Sequence, residues 1–372
     1  MKKFLKLFFL ISIFLLSGCG AKSADNVLEK LEKKLKNADS YYLEGIMEIM
    51  NNEDTYTYDV KVSYQKQDYY KIELMNTLNN HEQVILRNDD GVYVVTPSLN
   101  KSFKFQSDWP YNNSQVYLLN SILDDLIEDE TREFKEDGEN IIFKSKVHYP
   151  NNKALEKQKV YIDEDANITK VEVVDKDDNI QIVMQFKDLE YNKKFDKNYF
   201  ELSELLDITD TKNKEDNQNT KKEDTNINTN DNTNNETTNN AESNNQTNTP
   251  TNEQTETTAT IDDIIYPMYL PNNTYLTSQE IIDTENGQRL ILTFGGDSSF
   301  VLVEETVKAS DEGIIIPVAG EFDFLADVIG VIGTNSLSWH SNGIDYYIAS
   351  DTVTTLELVE IANSVSVLPV SK

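Results

Sequence analysis

Two spacings of apolar residues organise this chain. Over 26–38, Leu28, Leu31 and Leu35 recur three and four apart, with Glu29/Lys33 and Glu32/Lys36 as i,i+4 pairs on the opposite side, which predicts an amphipathic helix. The spacing then drops to two. Segments 41–50, 55–65 and 68–75, rich in Tyr, Ile and Val, read as strands joined by turns at 51–54 and 66–67. Asn88-Asp89-Asp90-Gly91 joins 83–87 to 92–96 in the same way. At 114–128 the period returns to helical, with Val116, Leu119, Ile122, Leu123, Leu126 and Ile127 on one side. Strands resume near Thr131, Ile141, Gln158, Ile168 and Ile180 and end near Glu190.

About eleven strands, a leading helix and a mid-chain helix make one antiparallel sheet too long to stay flat. Such a sheet curls, and its concave apolar face needs a cover, which the mid-chain helix can supply. A second patterned region follows from 262, with a hairpin of 290–294 and 300–306 around Gly295-Gly296-Asp297, strands at 337–339 and 345–348, and a helix over 355–365. Thr354 and Glu357 have capping-box spacing for that helix. Between the two regions the pattern vanishes. Residues 211–260 hold one Ile, no aromatic and no Gly, and 29 of the 50 are Asn or Thr, so this stretch is expected to be a disordered tether spanning about 40 Å as a flexible coil.

The N-terminus carries a different signal. Lys2, Lys3 and Lys6 precede the apolar run 4–16, and Leu16-Ser17-Gly18-Cys19 ends it with small residues before Cys19, the chain's only cysteine. The run is short for a membrane span of about 20 residues. The pattern resembles a lipobox, which implies cleavage before Cys19 and acylation of it. Two acyl chains anchor stably where one does so marginally. The expected organisation is a signal peptide over 1–18, an anchor segment over 19–24, a folded domain over 25–208, a linker over 209–261 and a small α+β domain over 262–372. Localisation is then the extracytoplasmic face of the cell membrane.

The last hairpins of the first region carry a further resemblance. The run Tyr161-Ile162-Asp163-Glu164-Asp165-Ala166-Asn167-Ile168-Thr169-Lys170-Val171-Glu172-Val173, then Phe186-Lys187-Asp188-Leu189-Glu190-Tyr191-Asn192 and Asn198-Tyr199-Phe200-Glu201-Leu202, is similar to the end of LolA-like proteins, the superfamily of the outer-membrane lipoprotein carrier. That resemblance implies an unclosed antiparallel β-barrel of about eleven strands with helices over an apolar cavity, giving an α+β chain overall. A lipid-anchored domain of this kind, followed by an Asn-rich linker and a small uncharacterised C-terminal domain, is similar to lipoproteins of Gram-positive spore formers linked to sporulation or germination. It implies a non-enzymatic protein that assists envelope or spore-cortex processing by contact with a partner such as a wall- or cortex-processing enzyme. The alternative is a carrier or sensor of a lipid or lipopeptide, held in the cavity. An anionic scaffold is a third reading.

Composition narrows the partners. With 34 Lys plus Arg against 65 Asp plus Glu, the formal charge is −31, and loss of the three signal-peptide lysines makes it more negative still. Such a surface repels nucleic acid and anionic wall polymers. Candidate chemistry is sparse. His81, His148 and His340 have no second ligand at metal spacing, and no nucleophile elbow, phosphate loop or cofactor motif is present, so neither a metal nor a cofactor is expected. Asp163-x-Asp165-x-Asn167 and Asp175-x-Asp177-x-Asn179 imitate calcium loops but place Ile at the sixth position where Gly is needed, and read as hairpin turns. Asp124 and Asp125 read as the wet face of the mid-chain helix.

Aromatic residues crowd the strands of the first region. Tyr42, Tyr56, Tyr58, Tyr64, Tyr70, Tyr93, Phe103, Phe105 and Trp109, with Leu119 and Leu123 of the mid-chain helix, are candidates for the concave face. They either fill a core or line a pocket for an acyl or other apolar ligand.

Overall fold

The computed structural model describes residues 24–51, 54–138, 140–208, 260–261, 264–285, 287–325 and 327–365. The lipobox with Cys19 and the Asn/Thr-rich stretch lie outside them. Helix α1 (Ala24–Asn37) begins with Asp25 and ends with Lys34 and Lys36, each charge matched to the helix dipole, and buries Val27, Leu28, Leu31 and Leu35. Eleven strands follow in the first region: β1 (Ser40–Asn51), β2 (Asp54–Gln65), β3 (Tyr69–Asn76), β4 (Glu82–Asn88), β5 (Gly91–Thr96), β6 (Lys101–Phe105), β7 (Glu133–Asp137), β8 (Asn140–Lys146), β9 (Lys157–Ile162), β10 (Ile168–Val174) and β11 (Ile180–Tyr191). Helix α2 (Leu119–Glu128) falls between β6 and β7.

Helix α2 starts five residues later than its periodicity suggests. Ser121 Oγ takes the Gln115 amide at 2.8 Å, and the Ser114 hydroxyl donates to Asp125 at 3.0 Å, so 114–118 fold back over the first turn instead of extending it. The calcium-like runs are hairpin turns. Asp163 accepts the Asn167 amide, Asp175 accepts those of Asp177 and Asn179, and Ala166 and Asp178 take positive φ.

The large sheet has twelve strands, in the order β6-β5-β4-β3-β2-β1-β11-β10-β9-β8-β7 with a further strand, β15 (Ile314–Val318), beside β6. It remains open, since its two ends are different edges. A register shift between Glu44 and Gly45 bends β1 where a Cβ on Gly45 would run into the Gln185 carbonyl and Met184 Cε. Sheet curvature brings α1, α2 and the inner faces of β1–β5 and β8–β11 into one apolar core. On the outer face, Val84, Leu86, Tyr93 and Val95 are covered by Phe200, Leu202 and Leu206 from the segment after β11.

The twelfth strand comes from the other end of the chain. The second region forms β12 (Thr274–Thr284), β13 (Gly287–Gly296), β14 (Phe300–Thr306), β15 (Ile314–Val318), β16 (Glu321–Phe324), β17 (Ile329–Ile332), β18 (Ser336–Ser341), β19 (Ile344–Ala349) and helix α3 (Thr355–Asn363). Seven of these strands make a second sheet, β12-β13-β14-β19-β18-β17-β16, with α3 over it. Both halves of the expected capping box are present, since Thr354 Oγ1 accepts the Glu357 amide and the Glu357 carboxylate accepts that of Thr354. Strand β15 leaves this sheet and lies parallel to β6, pairing Ile314 with Lys101 through Val318 with Phe105. Residues 24–208 and 260–365 thereby share a sheet and a core.

If a protease site is engineered between residues 211 and 260 and cut, the two pieces are expected to stay together on gel filtration and to unfold in one transition. Separate elution of two folded fragments would show that the shared strand does not hold them.

The candidate functional site

Period-two alternation turns Tyr56, Tyr58, Tyr64 and Tyr70 of β2 and β3 inward, and with Phe105, Trp109, Leu119 and Leu123 they belong to the inner core, against which Phe103 packs half-buried. Two candidates point elsewhere. Tyr42 is one residue out of phase with Tyr41 and Leu43, which take the inner positions, and its hydroxyl donates to Glu44 at 2.5 Å while Lys193 lies over its ring. Tyr93 lies on the outer face beneath the segment that follows β11. Tyr41, Tyr117 and Phe143 belong to the same core; Tyr117 sits just ahead of α2, outside the strand alternation that marks the others.

The inner aromatics form a connected path. Ring centroids lie 4.9 Å apart for Tyr41 and Tyr64, 5.0 Å for Tyr64 and Tyr70, and 5.6 Å for Tyr70 and Trp109. The path continues into the second region. Phe322 of β16 packs tilted at 5.9 Å from Trp109 and 5.1 Å from Phe105, and Phe324 packs edge-on at 6.2 Å from Tyr58 and 6.0 Å from Tyr117. Ile329 and Val331 of β17 join the same core. The face that an apolar ligand would have to touch is covered by the chain itself: Trp109 and Leu119 are each 1% exposed and Phe105 2%. Burial pushes the hydroxyls of Tyr41, Tyr58 and Tyr70 far above the usual tyrosine range, so these three hydroxyls stay neutral.

Polar groups fasten the cover at its rim. The Gln83 side chain behaves as a short strand partner, its Oε1 accepting the Ile329 amide at 2.6 Å and its Nε2 donating to the Ile329 carbonyl at 3.3 Å. Asn76 Nδ2 donates to the Asp327 carbonyl at 3.1 Å. Glu321 accepts from Ser107 at 2.6 Å and from Asn112 at 2.8 Å. Lys101 and His340 both meet Asp345 at 2.8 Å. Burial alone would raise the Asp345 carboxyl, but His340 and Lys101 together hold it below the ordinary value. The His81 ring lies tilted against His340 at 5.4 Å, and burial, with His340 beside it, pushes its pKa down to about 4. Among the described residues, no three His, Cys, Asp or Glu side chains converge to hold a metal.

A polar cleft of about 320 Å³ beside α2 is lined by Tyr111, Asn113, Asp124, Asp125, Glu128 and His148, among others. Asp125 is not on the wet face of its helix. It is half-buried, accepts from Ser114 and from Gln158, and is pushed up to about 7, chiefly by burial. Ser114 Oγ in turn accepts the His148 amide. These bonds tie the pre-helix loop to β9 and the loop before it, which is a bracing role.

Two outcomes are expected. Phe322→Ala removes a buried ring and should cost about 3–5 kcal/mol in urea unfolding, with a smaller loss for half-buried Phe324→Ala; a loss under about 1 kcal/mol for Phe322→Ala would contradict the packing described. Asp323, between those rings, is raised by burial from 3.8 to about 6. A raised acid contributes stability that is complete below its unfolded value and lost as pH climbs through the folded one, so Asp323→Asn should blunt the fall in stability between pH 4 and 7.

Comparison with known proteins places this geometry in context. The family model described as "Sporulation protein YdcC-like" matches residues 1–200. Sporulation protein YdcC of Bacillus subtilis (strain 168) is 32% identical over 359 residues, covering 95% of this chain and 94% of that one. Among solved structures, a chain in the complex of the CwlD amidase with the GerS lipoprotein of Clostridioides difficile is 18% identical, at a TM-score of 0.22, with coverage of 46% of this chain and 98% of that one. A LolA superfamily protein from Nitrosomonas europaea is 11% identical at a TM-score of 0.28, with coverage of 48% and 98%.

Proposed function

The chain belongs to the YdcC-like family of sporulation proteins, and we propose that it serves sporulation as a lipid-anchored, non-enzymatic protein that works by contact with a protein partner on the extracytoplasmic face of the membrane. The lipobox residues Leu16 to Cys19 support the anchor. One observation favours a protein partner over a lipid cargo: Phe322 and Phe324 occupy the inner face of the open sheet, where an acyl chain would have to lie. Displacing them for a lipid would expose two aromatic rings and break the Gln83 and Asn76 bonds to the backbone at 327–329. The partner fits the class of wall- or cortex-processing enzymes, which work where such an anchored chain would stand.

The chain from residue 20 onward, purified without detergent, should show its unliganded mass in native mass spectrometry. A bound species of a few hundred daltons lost on organic extraction would overturn the protein-contact reading in favour of a carrier. The anchor is checked separately by feeding cells an alkyne fatty acid, which should label the wild type and leave Cys19→Ser unlabelled.

A further inference from the structure

Open sheets must protect their edges, because an unpaired row of N–H and C=O groups invites another strand. Three of the four edges are protected by visible means. In the large sheet, β15 carries Pro317, and β7 is short and exposed with Glu133, Lys135, Glu136 and Asp137 along it. In the small sheet, β16 has four residues and is packed into the inner core through Phe322. The fourth edge, β12, differs in each respect.

Strand β12 runs for eleven residues, Thr-Tyr-Leu-Thr-Ser-Gln-Glu-Ile-Ile-Asp-Thr, with no Pro, Lys or Arg, and nine consecutive residues from Tyr275 to Asp283 are exposed. Among the described residues it pairs only with β13. Register assigns its apolar residues to both faces. Leu276 and Ile281 lie opposite Phe294 and Leu290 on the core side, while Tyr275 and Ile282 lie opposite Gly295 and Arg289 on the other. All four are large and exposed, from 40% for Leu276 to 60% for Tyr275. An incoming strand would thus find an apolar neighbour near each end of β12 on either face.

We propose that β12 is a docking edge that takes an extended segment of a partner protein by strand addition, and that this segment carries apolar residues interleaved with Lys or Arg. Charge selects the occupant. Glu280 and Asp283 are the charged groups of β12, and Arg289 beside it is held in a two-pronged pair by Glu305 at 2.9 and 3.0 Å, so an incoming strand meets net negative charge. A second copy of this chain would bring the same acids against themselves, on a body already at −31. A basic strand matches both the backbone and the acids. The proposal rests on the protein-contact reading above and adds the surface and chemistry of the partner.

The test uses the mature chain bearing Cys19→Ser and two synthetic probes, Lys-Val-Thr-Val-Lys-Val-Thr-Val-Lys and the same peptide with Glu for every Lys. By fluorescence anisotropy the basic peptide should bind at least tenfold more tightly than the acidic one. Amide exchange should slow across 274–284 on binding, and Ile281→Lys with Ile282→Lys should weaken binding at least tenfold while leaving the melting temperature within a few degrees, because both side chains are exposed. Binding that survives the double variant, protection confined elsewhere, or failure of both peptides would overturn the proposal. A concentration-dependent dimer in sedimentation, abolished by the double variant, would overturn it in favour of self-pairing. None of these outcomes alters the inner face, so this proposal fails separately from the native-mass result.

Discussion

The inner face of the open twelve-stranded sheet cannot be left bare, and covering it dictates most of the structure. Two helices of fourteen and ten residues cover only part of a face built from so many strands. The remainder is supplied from more than 200 residues further along the chain, by β15 at the edge and by Phe322 and Phe324 across the aromatic path. Strand pairing and ring burial act together there. Parallel pairing with β6 sets where β15 lies, and the short step from Val318 to Glu321 then delivers Phe322 next to Phe105, the residue that Val318 itself pairs with. Carboxamides at the rim add selectivity, since the Gln83 and Asn76 groups read backbone atoms at 327–329 and would lose those bonds if the cover lifted.

This arrangement tolerates a long connection between the two regions. For a connection treated as a flexible chain, each doubling of length costs about 0.6 kcal/mol in closure. Burying one phenylalanine contributes about 1.5–3 kcal/mol. Burial of the cover therefore outweighs the closure cost of even a several-fold longer connection.

Legibility in the sequence followed one-sided burial. Strands β1 to β3 and the hairpin of β13 and β14 alternate because one face is buried, and α1, α2 and the capping box of α3 announce themselves by spacing. Strand β12 escaped because exposure on both faces leaves no alternation to read. Strand β15 escaped because Ile-Ile-Ile-Pro-Val shows no period and its pairing is remote. Tyr42 was misplaced by a single position, the smallest error that reverses a side chain in a strand. Tyr93 has correct alternation but faces a second apolar layer, formed by the segment containing Phe200, Leu202 and Leu206. Asp125 looked solvated because its partners Ser114 and Gln158 are far from it in sequence or hidden by a fold-back. Phe322 and Phe324 stand in an unremarkable Glu-Phe-Asp-Phe, and only the three-dimensional pairing reveals what they cover.

A filled inner face changes where recognition must occur. A sheet of this form with a vacant concavity would recognise its ligand by apolar shape, from within. Here the concavity is apolar and occupied, and over the whole sequence 65 Asp and Glu outnumber 34 Lys and Arg. On the proposed protein-contact reading, recognition falls to edges and rims, where backbone hydrogen bonds and complementary charge would decide the partner. Edge guarding by Pro317, by the charged β7 and by burial of β16 narrows this further. Had β12 been an ordinary edge under the same pressure against aggregation, a lysine, or a proline at a position whose N–H faces away from β13, would have guarded it at little cost to the β13 pairing. Its acids repel further copies of this chain while leaving it open to cationic strands, a combination that discourages self-assembly without closing the edge to a partner.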